Sequence, residues 1–171
     1  MQAHELRAVQ APFKSQYQSD PATAFQTLTA SGTIDLPTLT VKLDYVGPGW
    51  DRTGMHPLTG GDGKSACAAE MLLNAVAGCA GVTLAAVATA MELPINAAKL
   101  TVSGDVDFRG TLAVSRDVPV GFQAVRVHFV IDSGAPDAKL TKLTELAERY
   151  CVVAQTLKDV SVSWERIGTA V

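Results

Sequence analysis

The sequence predicts an α+β fold, a largely antiparallel sheet around long central helices. Three observations carry that reading. Residues 71–91 run for twenty-one positions without an acidic or basic side chain. Segments before and after them alternate apolar and polar residues, the period of a half-buried strand. From Pro136 the apolar spacing changes to three and four, the period of a helix. Strands, helix, strands, helix, strand is the order of an α+β domain.

Residues 1–22 show no period and read as an N-terminal arm. Residues 23–29 (TAFQTLT) read as a strand. A clearer one spans 38–46, where Leu39, Val41, Leu43 and Tyr45 alternate with Thr40, Lys42 and Asp44. Pro37 precedes it and Gly47-Pro48-Gly49 stops it. Residues 47–64 form a long Gly- and Pro-rich loop ending in HPLTGGDGK, and long loops beside compact cores are often functional. The central helix starts near Ser65, a capping residue, with Glu70 in the early turns where the helix dipole favours an acid. It ends before Pro94, which cannot continue it.

Two further strands span 99–108 and 122–131. In the second, Val125, Val127, Phe129 and Ile131 point inward, and Arg126 and His128 outward. A second helix follows Pro136. Its stripe of Leu140, Leu143, Ala147, Tyr150, Cys151, Ala154 and Leu157 lies on one face. A last strand, 160–165, puts Val160, Val162 and Trp164 on one side.

A chain of 171 residues without internal repeat or linker reads as a single domain, 1–171. Apolar residues make up 47% and charged residues 18%, a balance that suggests surface buried against another copy. The net charge of −3, with no basic stripe, argues against nucleic acid. Residues 71–91 are long enough to cross a bilayer. They are nevertheless alanine-rich, interrupted by Asn74, Thr83 and Thr89, and bounded by Glu70 and Glu92 without a basic cluster. A core helix, buried on every side, is the expectation rather than a membrane span. The opening residues lack the apolar stretch of a secretory signal, so the three cysteines read as thiols of a cytoplasmic protein.

Those cysteines carry the chemistry. Cys79 is the ninth residue of the uncharged run, on a face shared with Leu72, Ala75, Val76, Val82, Thr83 and Ala86. Cys151 lies on the second helix's apolar stripe. If the two helices meet there, one sulfur can attack a peroxide and become a sulfenic acid, and the other can resolve it as a disulfide. That needs Cα atoms within about 7 Å, and a lowered thiol pKa on the attacking residue. The plainer alternative is two small core hydrophobes. Cys67, roughly 18 Å from Cys79 along an unbroken helix, fits neither a bond to Cys79 nor a zinc site, since no CxxC or HxxxH spacing is present.

The stretch GGDGKSACAAEMLLNAVAGCAGVTLAAVATAMELPI, followed by strands and then ERYCVVAQTL, resembles the osmotically inducible protein C / organic hydroperoxide resistance family, in its broader branch. The likeness covers roughly residues 20–166. It implies an intertwined homodimer with active sites at the subunit interface. It also implies thiol-dependent reduction of hydroperoxides, organic ones preferred, with Cys79 as the peroxidatic and Cys151 as the resolving cysteine. The partners implied are a hydroperoxide and a dithiol reductant, with no metal or organic cofactor. Two departures stand out. Cys151 is followed by Val152 where the family often has proline. No arginine clearly matches the one the hydroperoxidases hold with a glutamate. Arg52 and then Arg149 are the candidates, with Glu70 near the glutamate's place, and His56 and Thr83 are further possible site residues. The rival reading is a non-catalytic dimer of the same fold that holds an apolar ligand.

Overall fold

The computed structural model describes residues 3–37, 40–44, 53–157 and 159–167. The chain divides into two compact units.

The first unit comprises Met1–Leu28, Val46–Met71 and Gly104–Ala124. Where an arm was expected, it has helix α1 (Ala3–Ser19), which carries Pro12 within it. The helix is tied down near its end, where the buried Tyr17 hydroxyl donates to the Leu58 carbonyl oxygen at 2.7 Å. A short turn at Pro21–Ala24 leads into strand β1 (Phe25–Asp35), longer than the strand predicted there. Strand β3 (Thr53–Gly54) pairs in parallel with strand β4 (Ala66–Cys67). Between them the loop folds back so tightly that a β-carbon on Gly61 would lie 1.7 Å from the Met55 carbonyl oxygen. Helix α3 (Phe108–Thr111) is capped by Asp107, whose Oδ1 accepts the Arg109 N–H at 3.0 Å.

The second unit comprises Thr29–Tyr45, Leu72–Ser103 and Val125–Val171. Its sheet has the order β2-β1-β5-β6-β7, with β2 at Thr40–Leu43, β5 at Ile95–Asp107, β6 at Ala124–Ser133 and β7 at Val160–Ile167. β2 runs antiparallel to β1, and β7 parallel to β6. The fold is thus α+β with an antiparallel-rich sheet, as the sequence predicts. The alternation expected for residues 122–131 holds, with Val125, Val127, Phe129 and Ile131 buried.

Helix α2 (Ala68–Ala90) lies against this sheet. Gly81 makes the approach close, for a β-carbon there would come within 2.5 Å of Val41 Cγ2 and 3.3 Å of Ile34 Cγ1. The helix stops in a Schellman arrangement, with Leu93 N–H bonded to Ala88 O, Glu92 N–H to Thr89 O, and Glu92 at φ 53°. By length and composition α2 could cross a membrane, yet 56% of its most apolar window is buried inside the fold. Burial on every side, the sequence expectation, does not hold within one chain. Leu73, Val76, Ala77, Ala80, Leu84, Ala85 and Ala88 are buried, but Leu72, Ala75, Val82 and Ala86 form an exposed apolar stripe.

The second predicted helix is two. Helix α4 (Asp137–Tyr150) ends at Cys151, which takes extended φ and ψ of −76° and 101°, and helix α5 (Val152–Thr156) starts again beyond it. Arg166 on β7 anchors the start of α4. It donates to the Ser133 carbonyl, to Ala135 O at 2.6 Å and to Asp137 Oδ1 at 2.5 Å.

Candidate active site

Cys79 sits midway along α2, on the edge of its exposed stripe and half-buried. Thr83, one turn on, donates its hydroxyl to the Cys79 carbonyl oxygen at 2.8 Å. Cys151 is fully buried at the joint between α4 and α5. Being extended there, it turns the chain so that the first N–H groups of α5, which have no partner within the helix, are free for other acceptors. The Cys151 sulfur takes one of them, from Ala154, at 3.5 Å.

The structure brings the two predicted sulfurs together. All three cysteines are free thiols, and Cys79 and Cys151 lie close enough for each to shift the other's ionisation. Their ionisation is driven apart. Burial pushes Cys79 up, but donors outweigh it: the Val153 N–H, the Cys151 thiol, the Thr83 hydroxyl and the Val152 N–H together bring the thiol below its ordinary value. At Cys151 burial dominates. Against the Ala154 N–H, burial and the bond to Cys79 push that thiol up to about 11. Hydrogen bonds to the charged form lower an acid's pKa, and desolvation raises it. The Cys79 thiol is thus the easier of the two to ionise.

Beside the pair lies an apolar crevice of about 170 Å³ lined by Leu72, Val152, Val153, Thr156 and Leu157. The two valines whose N–H groups act on Cys79 are thus also among the residues lining this crevice.

The other candidates fall elsewhere. Arg52 lies outside the described residues. Arg149, in the last turn of α4, lies over the ring of its neighbour Tyr150 at 5.9 Å. Glu70 is in the first turn of α2 and belongs to the first unit, where its charge acts on His56. His56 caps a turn, accepting the Leu58 N–H on Nδ1 at 3.1 Å, and stacks on Phe108 with ring centroids 4.8 Å apart. Cys67 lies half-buried in β4 of the first unit. No group of three or more His, Cys, Asp or Glu able to hold a metal occurs among the described residues. Sequence reasoning sought a cation for Cys79 and missed the main-chain donors at Val152 and Val153. A backbone N–H has no side-chain signature, and the apolar stripe runs through Cys151 without a Gly or Pro to mark the break.

The family model described as OsmC-like protein matches residues 61–165. Among solved structures, the chain is similar to an OsmC-like hydroperoxide resistance protein from Jannaschia sp. CCS1, with 18% identity and a TM-score of 0.55, over 78% of this chain and 86% of that one. It is similar to an OsmC-like protein from Mycoplasma pneumoniae, with 17% identity and a TM-score of 0.52, over 84% of this chain and 97% of that one. A hypothetical protein from Aquifex aeolicus VF5 matches at 16% identity and a TM-score of 0.51, over 82% of this chain and 96% of that one. At these identities the likeness is one of fold. No curated protein matches.

Proposed function

The chain belongs to the family of OsmC-like proteins, and on that footing we propose that it reduces hydroperoxides with its own two thiols, in defence against oxidative stress. The observation that carries this reading is the pairing of Cys79 with Cys151, close enough to shift each other's ionisation, with the first the easier to ionise and burial keeping the second a thiol. The name of the Jannaschia protein, hydroperoxide resistance, points the same way.

The Cys79 thiolate attacks the terminal peroxide oxygen. An S–O bond forms and the O–O bond breaks. The alkoxide leaves and takes a proton to become an alcohol. Sulfur loses two electrons to the peroxide and becomes a sulfenic acid. A thiol at about 11 is ionised to only about one part in ten thousand at neutral pH, so Cys151 does not compete for the peroxide. It needs a base to become the second nucleophile, and the departing alkoxide is the strongest base at hand. Cys151 sulfur then displaces hydroxide from the sulfenic sulfur, forming the Cys79–Cys151 disulfide, and the hydroxide becomes water with the proton that Cys79 released on ionising. A dithiol reductant exchanges with that disulfide and leaves oxidised, restoring both thiols. Such recycling fits a cytoplasmic setting, where thiols are kept reduced. The apolar crevice beside Cys79 suits the carbon chain of an organic hydroperoxide.

One equivalent of tert-butyl hydroperoxide should remove two thiols per chain and yield a Cys79–Cys151 peptide pair by mass spectrometry, with Cys67 left alkylatable. Cys79→Ser should abolish turnover. Cys151→Ser should stop at a sulfenic acid trapped by dimedone. Full turnover in Cys79→Ser would end this reading. A second reading rests on the crevice alone: a non-catalytic protein that binds an apolar ligand there, whose thiols would stay unchanged by peroxide.

A further inference from the structure

Thr83 lies one helical turn beyond Cys79, and its hydroxyl donates to the Cys79 carbonyl oxygen at 2.8 Å. That oxygen is also the regular helical acceptor for the N–H of Thr83 itself. The hydroxyl therefore adds a second bond to an acceptor already served, and giving it up costs little. The same hydroxyl is within hydrogen-bonding reach of the Cys79 sulfur. A hydroxyl hydrogen rotates to suit its acceptor, so changing partners needs no movement of the heavy atoms.

From this geometry we infer that Thr83 is a catalytic residue: as Cys79 ionises, its hydroxyl turns from the Cys79 carbonyl to Sγ and holds the thiolate. The inference rests on Cys79 being the attacking thiol. Within this unit, the described groups acting on that sulfur are Thr83 on α2, Cys151 at the α4–α5 joint, and the N–H groups of Val152 and Val153 on α5. None of these carries a positive charge. The valine N–H groups are fixed by the fold. The Cys151 proton is consumed when that residue resolves the sulfenic acid. Thr83 supplies the side-chain donor that stays neutral and in place throughout. Beside a half-buried sulfur, a bond to the charged form is stronger than one to a neutral carbonyl, which gives the switch its direction.

The pH profile of Cys79 alkylation by iodoacetamide, read at that residue by peptide mass spectrometry, tests this. Thr83→Val keeps the branched shape and removes the hydroxyl. It should slow alkylation at pH 7 roughly tenfold and move the profile to higher pH. Thr83→Ser restores the hydroxyl and should restore the profile. A Thr83→Val profile that overlies the wild type overturns the inference, as does a Thr83→Ser profile as slow as that of valine. Thr83→Ala gives the same reading should valine disturb the helix. Peroxide turnover plays no part in the readout. A protein inert to peroxide yet showing this hydroxyl dependence would sink the proposed function and leave Thr83 only as the group that holds the Cys79 thiolate.

Discussion

The sulfur of Cys151 accepts the N–H of Ala154 at 3.5 Å, so the residue proposed to resolve the sulfenic acid is also the cap that begins α5. Redox chemistry at that atom is thereby tied to the stability of a helix. Once Cys151 is committed to a disulfide, its sulfur is a poorer acceptor and is drawn toward Cys79. A lost cap is worth about 1 kcal/mol, or about a fivefold change in local opening. The Ala154 amide should therefore exchange about fivefold faster in peroxide-treated protein than in reduced protein. Equal protection in both states would show that the cap survives oxidation.

Val152 stands at the first helical position of α5, where proline is tolerated because the N–H has no helical partner. Cys151 before it is already extended, as a residue preceding proline must be. Val152→Pro therefore fits the backbone and deletes one hydrogen-bond donor to the Cys79 sulfur. The variant should keep its fold. Its Cys79 alkylation should be slower at neutral pH and should shift to higher pH, with Cys151 unaffected below about 11. An unshifted profile would mean that this N–H does not hold the thiolate.

Asp107 makes the first unit sensitive to acid. Its carboxylate is 3% exposed and takes the Arg109 Nη2 at 2.5 Å, Nε at 3.0 Å and N–H at 3.0 Å. The Arg109 side-chain hydrogen bonds hold its carboxyl below the usual 3.8, against burial. A carboxyl whose folded pKa is depressed adds stability that is complete above the unfolded value and lost as pH falls through the folded one. Melting temperature should thus be flat down to about pH 4 and fall below it. Asp107→Ala removes both the charge pair and the cap of α3. It should cost about 1–2 kcal/mol at pH 7, mainly through the lost cap, and flatten the acid limb. An acid limb of unchanged steepness in that variant would assign the effect to another group.

Much of this architecture was legible because periodicity reports burial. Phe129 and Ile131 alternate with His128 and Val130, and the sheet buries the first pair. Leu140, Leu143 and Ala147 recur at helical spacing, and all three are buried. What escaped was local geometry that composition does not encode. The first residues show no period, yet α1 runs through Pro12 and is held at Tyr17. β3 and β4, of two residues each, are too short to show a period. Apolar stripes on two helices left a meeting of Cys79 with Cys151 open without requiring it. The α5 N–H donors depend on a change in backbone direction at Cys151 that no side chain announces.

The exposed stripe of α2 bears on assembly. Leu72 and Val82 are 37% and 40% exposed, and Val152, beside the thiol pair, is 69% exposed. Together with Ala75 and Ala86 they leave apolar surface in water next to the proposed reactive sulfur, in a chain of 47% apolar residues. Water next to Cys79 would weaken the hydrogen bonds that hold its thiolate and admit small oxidants freely. A second copy of the chain laid over this stripe would remove the apolar surface and enclose the site. A stable contact of that kind buries on the order of 1,600 Å² in total. Sedimentation velocity at micromolar concentration should show a dimer. Val82→Glu puts a charge at the centre of the stripe and should yield a folded monomer. Val120→Glu, at an exposed position in the first unit, should remain dimeric. A monomeric wild type, or a Val82→Glu protein that still dimerises, would mean that α2 keeps this face open to solvent.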